Sequence, residues 1–351
     1  MIITSMDALD VAFVENLFGC SGDVRAVQVS RIGTGQVALS LEVDIEWAPN
    51  AVGRHPEVLV VKIPAAEIES REAARMMRTY HLEVGFYRDI ADRVAIPHPT
   101  ALLAEIEPES GDFTLVMTPA LGTVGDQLAG CGVREAEAMV DAAVGLHAPT
   151  WDQVAELGTL PWLGVPDPAG IAMRVGAYQH LLSGFRDRFA TRLDDAVLEA
   201  ADWLGANLAA VIAAYRSPLC LVHGDYRLDN MLFASGADAV HVTVLDWQTL
   251  AFGRGAADVA YAVGSGLVAA ERRRLESELV DRYVAGLEQA GIGAVGDNVR
   301  HDYRLGTVTG LAMAVIASQL VTATERGDEM FAVMAERHAL QMIDNDVFAL
   351  V

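Results

Sequence analysis

Cysteine is scarce in this chain. Cys20, Cys131 and Cys220 are odd in number and lie in apolar surroundings, so no disulfide framework is expected and they read as buried thiols of a reducing compartment. Basic residues are also few: 25 Lys and Arg against 48 Asp and Glu leave a formal charge of −23. A nucleic-acid partner needs a basic face, so that class is excluded. Net charge otherwise speaks to solubility and steering, and it leaves a cationic ligand open. No basic-then-apolar leader is read at the N-terminus, where Asp7 and Asp10 stand instead. The most apolar later segment, Thr307 to Thr324, is interrupted by Thr309, Ser318 and Gln319, which reads as a buried helix rather than a membrane span. Internal repeats and low-complexity tracts are not found. The expectation is a cytoplasmic chain with no membrane and no nucleic-acid partner, its oligomeric state left open.

Core-building material is plentiful. The 351 residues are 52% hydrophobic, enough for one large or two ordinary domains without long disorder. The chemistry concentrates between Leu219 and Gln248. Leu219–Val222 is an apolar run, followed by His223-Gly224-Asp225-Tyr226-Arg227-Leu228-Asp229-Asn230, a second run at Met231–Phe233, a Ser235-Gly236 turn, and a third run ending at Asp246-Trp247-Gln248. Each run has the length of a buried strand. Asp225, Asn230 and Asp246 would thus emerge from adjacent strand ends toward one point. Two carboxylates and a carboxamide suit Mg²⁺, which takes a few such oxygens and completes its octahedron with phosphate and water.

Asp-x4-Asn followed by a strand and another Asp is the phosphoryl-transfer half of a protein kinase. Here Gly224 replaces the catalytic-loop Arg, and Asp246-Trp247-Gln248 replaces Asp-Phe-Gly. The His-Gly-Asp-x4-Asn form resembles the small-molecule kinases of the aminoglycoside phosphotransferase and choline kinase superfamily, including its ecdysteroid-kinase-like branch. That resemblance implies an α+β, bilobal protein-kinase-like fold, with an antiparallel sheet lobe over residues 1–118 and a largely helical lobe over 119–351. It implies ATP or GTP with Mg²⁺ as cofactors, and a small-molecule alcohol as acceptor. Asp225 would accept a hydrogen bond from the acceptor hydroxyl and take its proton late. Asp246 would chelate the metal, with Asn230 holding it or a second ion. His223 would prop the loop.

The earlier half of the chain is read in the same frame. A helical stripe over Asp7–Phe18 precedes two strand-like runs, Val24–Ile32 and Val37–Trp47. Gly33 and Gly35 lie between them, where the resemblance places a glycine-rich hairpin over the phosphates; Ala38 stands where a third glycine would be. A hairpin turn wants glycine in any case. Lys62 sits inside the apolar run Glu57–Pro64, and a lysine there is costly to bury without a partner. An edge-strand charge snorkelling to water is one reading. The resemblance implies the other: the lysine that holds the α- and β-phosphates. Ser70–Arg93 reads as one long helix. It carries Glu83, the implied partner of Lys62, with Glu72 as fallback. Thr100–Ile106 and Phe113–Met117 close the first lobe. Met117–Leu121 is the expected hinge, with the Thr118 carbonyl and the Ala120 N–H toward adenine.

Past this point the texture is helical: Val133–His147, Ala169–Ala190, Asp194–Tyr215, Ala269–Gly291 and Asp297–Val347. Leu157–Pro168 is a loop long enough to border a substrate site. Trp162, Met173, Tyr178, Phe185, Trp203 and Tyr261, with Asp167 and Asp202, are candidate acceptor walls, and a core role competes for each. His147 reads as structural. Gly253 and Asp258 match the family's Gly-x4-Asp element, Asp258 as a helix N-cap that additionally bonds the catalytic loop. Only eleven residues separate Asp246 from Asp258, too few for a regulated activation loop, which argues against a protein kinase. Two alternatives remain at this point: a nucleotide-binding pseudokinase without turnover, and an antibiotic-resistance kinase. Gln248, where relatives often carry Glu, bears on a second metal site or on acceptor preference.

Overall fold

A computed structural model describes residues 1–33, 37–236 and 239–351. Gly35 lies outside the described residues. The chain folds as two units, each with its own interior. Unit 1 takes Met1–Arg93, His98–Leu121 and the later segment Leu245–Thr249; unit 2 takes Val94–Pro97, Gly122–Val244 and Leu250–Val351.

Unit 1 is a five-stranded antiparallel sheet with helices. Helix α1 (Val11–Phe18) starts at Asp10, whose carboxylate accepts from the Phe13 N–H, and stops at Gly19 in the left-handed region. Strands β1 (Val24–Arg31), β2 (Ala38–Trp47), β3 (Val58–Pro64), β4 (Ala101–Ile106) and β5 (Phe113–Met117) are ordered β1-β2-β3-β5-β4. Alternation decides which face is dry. Leu41, Val43 and Ile45 of β2 and Leu59, Val61 and Ile63 of β3 form one core with Phe13 and Val14 of α1. Lys62, between Val61 and Ile63, therefore faces the opposite side. It pairs in register with Ser40 and Leu115. β3 is the middle strand, which excludes the edge-strand reading of Lys62.

The expected long helix over Ser70–Arg93 is broken. Helix α2 (Ile68–Met77) ends at Arg78, which adopts φ 57, and α3 (Thr79–Gly85) starts anew. A π turn (Phe86–Ile90) and a short 3₁₀ turn follow. The periodicity gave no warning, because Arg is a good helix former and a single left-handed residue costs only about 1–2 kcal/mol. The break is offset by what α3 buries. The Tyr80 hydroxyl accepts from the Ala65 N–H and its ring lies 4.6 Å from that of Phe113. Phe86 stacks on Trp247 at 3.6 Å and 6°, holding the Leu245–Thr249 segment within this unit.

Unit 2 is mainly helical. It begins with β6 (Thr123–Val124), α4 (Val133–His147), a short α5 (Val154–Leu157), α6 (Pro168–Phe189) and α7 (Asp195–Ala214). Strands β7 (Cys220–Val222), β8 (Met231–Ser235), β9 (Val240–Val244) and β10 (Ala251–Gly253) follow, then α8 (Gly255–Gly266), α9 (Ala269–Gln289), α10 (Gly296–Gly306), α11 (Val308–Leu320) and α12 (Glu325–Asp344). The three strands around the central motif do not form one sheet: β7 pairs with β10, while β8 pairs with both β9 and β6. The two or three helices expected over Ala269–Gly291 and Asp297–Val347 are four, α9 to α12. Nearly every residue of α8 is buried, so this helix is apolar all round and runs through the interior. Gly255 at its start is required sterically, since a Cβ there would lie 2.4 Å from the Tyr283 hydroxyl and 2.7 Å from the His147 ring. An antiparallel sheet unit followed by a helical one makes the fold α+β.

Candidate active site

In unit 1 the decisive feature is one ammonium held by two carboxylates. Lys62 Nζ donates to Glu83 Oε1 at 2.5 Å and to Asp246 Oδ1 at 3.0 Å. Glu83 is buried and reaches Lys62 because α3 restarts after Arg78 and turns this side chain onto the sheet. Glu72, the fallback, lies on α2 and is not the partner. Asp246 stands in the left-handed region with φ 65, followed by the buried Trp247. Its second oxygen, Oδ2, accepts from Gln248 Nε2 at 2.9 Å.

The charge is unbalanced: one cation faces two anions. Burial lowers the Lys62 pKa, but the Asp246 and Glu83 carboxylates more than reverse this and hold it above the usual lysine range. Burial raises the Glu83 carboxyl, and Asp246 adds to this against the pull of Lys62. Asp246 contributes to both shifts as a second carboxylate beside Lys62, a negative charge that a bound cation would offset.

Lys62 is the chain's single lysine; every other basic side chain except histidine is arginine. Breaking a buried pair by removing one partner strands a charge and costs roughly 3–5 kcal/mol. Lys62→Met and Glu83→Gln should each weaken nucleotide binding, and the double variant should lose less than the sum of the two. Strict additivity, measured by calorimetry, would separate the two residues functionally.

In unit 2 the His223-Gly224-Asp225 loop is bolted to α8. Gly224 has φ 81, a conformation that suits glycine and not the arginine of a protein kinase. The His223 and Gly224 N–H groups donate to Asp258 at 2.6 and 3.1 Å. Asp258 is buried and lies in the first turn of α8, whose N-cap is Arg254. The N-cap expected at Asp258 is thus corrected, while its expected bond to the backbone of the catalytic loop is present. His147, also buried, lies 3.4 Å from Asp258 and 2.8 Å from the Tyr283 hydroxyl. His223 Nδ1 accepts from the Asp225 N–H at 3.3 Å.

Asp225 meets four donor contacts. Arg227 Nε lies 3.0 Å from Oδ1 and 3.1 Å from Oδ2, the Tyr261 hydroxyl donates to Oδ1 at 2.8 Å, and Asn230 Nδ2 donates to Oδ2 at 2.9 Å. Asn230 Nδ2 also reaches the Asp225 carbonyl at 2.8 Å. Burial pushes the Asp225 carboxyl up, but the Arg227 guanidinium and then Tyr261, His223 and Asn230 hold it below its ordinary value. Burial, with Asp225 beside it, keeps the Tyr261 phenol far above its own, so it remains a donor.

Arg227 is the site residue that sequence reasoning passed over, and Tyr261, read from the sequence as a candidate acceptor wall, instead donates to Asp225. Tyr261 had a signal: it lies three residues after Asp258 on a helix, so both face the same loop. Arg227 had only its place two residues after Asp225. The other candidate walls resolve differently. Tyr178 and Phe185 are fully buried core, Trp162 is buried, Trp203 packs against the same core, and Met173 is exposed. Asp167 caps α6 and Asp202 pairs with Arg186.

For a metal, the donor chemistry fits magnesium. Among the described residues no group of three or more His, Cys, Asp or Glu could form an all-protein cage. Mg²⁺ does not ask for one. Asp246 retains lone pairs beyond those used by Lys62 and Gln248, and Asn230, whose amide N–H groups are spent on Asp225, has its carbonyl oxygen to offer. Gly33 has φ 69 in the β1–β2 connection, and Thr118 and Ala120 directly follow β5, all in unit 1.

The phosphotransferase enzyme family matches residues 51–297. The fold is similar to an ethanolamine kinase of Plasmodium vivax, with a TM-score of 0.57 and 10% identity over 97% of this chain and 87% of that one. It is similar also to a choline kinase of Cryptosporidium parvum Iowa II, with a TM-score of 0.57 and 11% identity over 92% and 91% of the two chains. A curated Arabidopsis thaliana protein named probable acyl-CoA dehydrogenase IBR3 is 36% identical over 66 residues, 19% of this chain. That match spans only 8% of the Arabidopsis protein.

Proposed function

The chain belongs to the phosphotransferase enzyme family, and on that premise we propose that it transfers the terminal phosphoryl group of ATP, or of GTP, to a hydroxyl group of a small molecule with Mg²⁺. The observation that carries this reading is Lys62 buried against Glu83 and Asp246 on the central strand of the sheet. An ammonium so placed, with acidic excess beside it, suits phosphate oxygens accompanied by a divalent cation.

Phosphoryl transfer is mostly positioning and charge neutralisation. Lys62, oriented by Glu83, binds the α- and β-phosphates. Asp246 and Asn230 would hold Mg²⁺, which when bound neutralises charge on the phosphates and on the leaving diphosphate. Gly33 would face the phosphates, and the Thr118 carbonyl and Ala120 N–H would bind the base. Asp225 orients the acceptor hydroxyl. The hydroxyl oxygen of the acceptor forms the new bond to the γ-phosphorus as the bond to the β-phosphate oxygen breaks; the hydroxyl proton passes to Asp225 and the nucleoside diphosphate leaves. The path from Asp246 to Asp258 is short and passes through β10, paired with β7, which suits a small acceptor better than a docked polypeptide.

Because Lys62 is the single lysine, an amine-reactive nucleotide analogue should modify one side chain, and ATP or GTP with Mg²⁺ should protect it. Transfer is then sought by mass spectrometry across aminoglycosides, macrolides, choline-like amines, sugars and sterol-like alcohols. Phosphorylation of an alcohol in that panel, with nucleoside diphosphate released in equal amount, is the expected result. Protection of Lys62 with no transfer to any acceptor would leave a nucleotide-binding protein without turnover. Labelling that nucleotide does not prevent would remove the Lys62 assignment.

A further inference from the structure

We infer that Arg227 is a positioning residue for the acceptor: its single Nε–H spans both oxygens of Asp225 and is the contact that gives up one of them to the incoming hydroxyl. This rests on the transfer proposed above. An ionised carboxylate offers about four lone-pair sites. Four donor contacts fill them here: two from Arg227 Nε, one from Tyr261 and one from Asn230. An acceptor hydroxyl that donates to Asp225 must therefore replace one of the four.

The geometry singles out Arg227. Tyr261 is fully buried on α8, within a helix buried along its length, and close-packed interiors do not let one ring swing aside. Asn230 Nδ2 is tied at two points, to Oδ2 and to the Asp225 carbonyl, so releasing it would unfasten the loop itself. Arg227 instead spreads one hydrogen over two acceptors at 3.0 and 3.1 Å, a three-centre arrangement in which neither contact is a full bond. A small shift toward Oδ2 frees Oδ1 and keeps the charges in contact. The rest of the guanidinium does not need to move far. Nη1 is anchored on Asp229 Oδ2 at 2.7 Å and lies 3.3 Å from Met330 Sδ. Asp229 is itself fixed, accepting from the Gln127 N–H at 3.1 Å. Arg227 thus holds the carboxylate in place before the acceptor arrives and remains bonded to it afterwards.

The test is a cycle of Asp225→Asn, Arg227→Met and the double variant, with Arg227→Lys as the conservative change. Urea unfolding midpoints come first, because they do not depend on turnover: the two single substitutions should be coupled, their midpoint shifts failing to add. Steady-state transfer to the acceptor found in the screen comes second. Arg227→Met should lower kcat roughly 10²-fold, the cost of a carboxylate displaced by about an ångström. The acceptor KM should stay unchanged or fall, since Oδ1 no longer has to be vacated. Arg227→Lys should recover part of kcat. In the Asp225→Asn background, Arg227→Met should add a loss of about twofold at most. A raised KM with kcat intact, or the same loss in both backgrounds, overturns the inference. Uncoupled midpoints with transfer intact overturn it alone. A wild-type chain that transfers to no acceptor removes the transfer reading as well, and coupled midpoints would then show that the contact itself was correctly placed.

Discussion

Asp225→Asn should retain nucleotide binding and lose transfer by about 10²–10⁴-fold, the range for removing a positioned base. The substitution is nearly isosteric, so packing around α8 is unchanged. What changes is chemistry. An amide cannot take the acceptor's proton, and it presents one acceptor oxygen to a site arranged with four donor contacts. Arg227 loses one anion but keeps Asp229, so the guanidinium is not stranded and the fold survives. The nucleotide residues proposed in unit 1 are untouched. The discriminating measurement is therefore paired: calorimetric affinity for nucleotide with Mg²⁺, and the rate of acceptor phosphorylation, on one preparation. Unchanged transfer would take Asp225 out of the mechanism. A parallel loss of nucleotide affinity would mean that the substitution acts on the fold.

Legibility differed along the chain for physical reasons. Elements with a clear period and a clear stop were plain: Val133–His147 and Phe113–Met117 carry the expected bounds. The break at Arg78 was not, because a left-handed non-glycine residue leaves no compositional mark and is justified only by what Tyr80 and Glu83 then reach. Lys62 stood out because a lysine in an apolar run demands partners. Its two partners lie 21 and 184 residues away, and periodicity cannot choose among acidic side chains at such distances. Asp258 looked like an N-cap because Asp before an apolar helix usually is one. The helix begins three residues earlier, which frees the carboxylate for two backbone N–H groups of the loop. Strand pairing was the least legible feature. Apolar runs in succession suggested adjacent strand ends, whereas β7 turns to β10, a partner supplied about thirty residues downstream.

Asp246→Asn should produce opposite effects on nucleotide affinity with and without metal. Asn is the informative replacement, since Asp246 stands at φ 65 and asparagine tolerates that region better than alanine. The substitution removes one of two carboxylates that share Lys62, leaving a balanced Lys62–Glu83 pair, so the fold should be kept or slightly strengthened. With Mg²⁺ present, a ligand that is an amide rather than a carboxylate should bind the ion poorly. Loss of an outer hydrogen-bonding partner alone commonly costs 10–100-fold in metal affinity, so a drop of roughly 10²-fold or more in Mg·nucleotide affinity is expected. In a chelator, the same carboxylate only repels the phosphates, and its removal should leave affinity unchanged or raise it. Calorimetry under both conditions reads the sign of each change. Equal losses in both would mean that Asp246 acts through Lys62 and not through an ion. Undiminished Mg·nucleotide affinity would refute the metal role, and the carboxylate would then belong to the lysine alone.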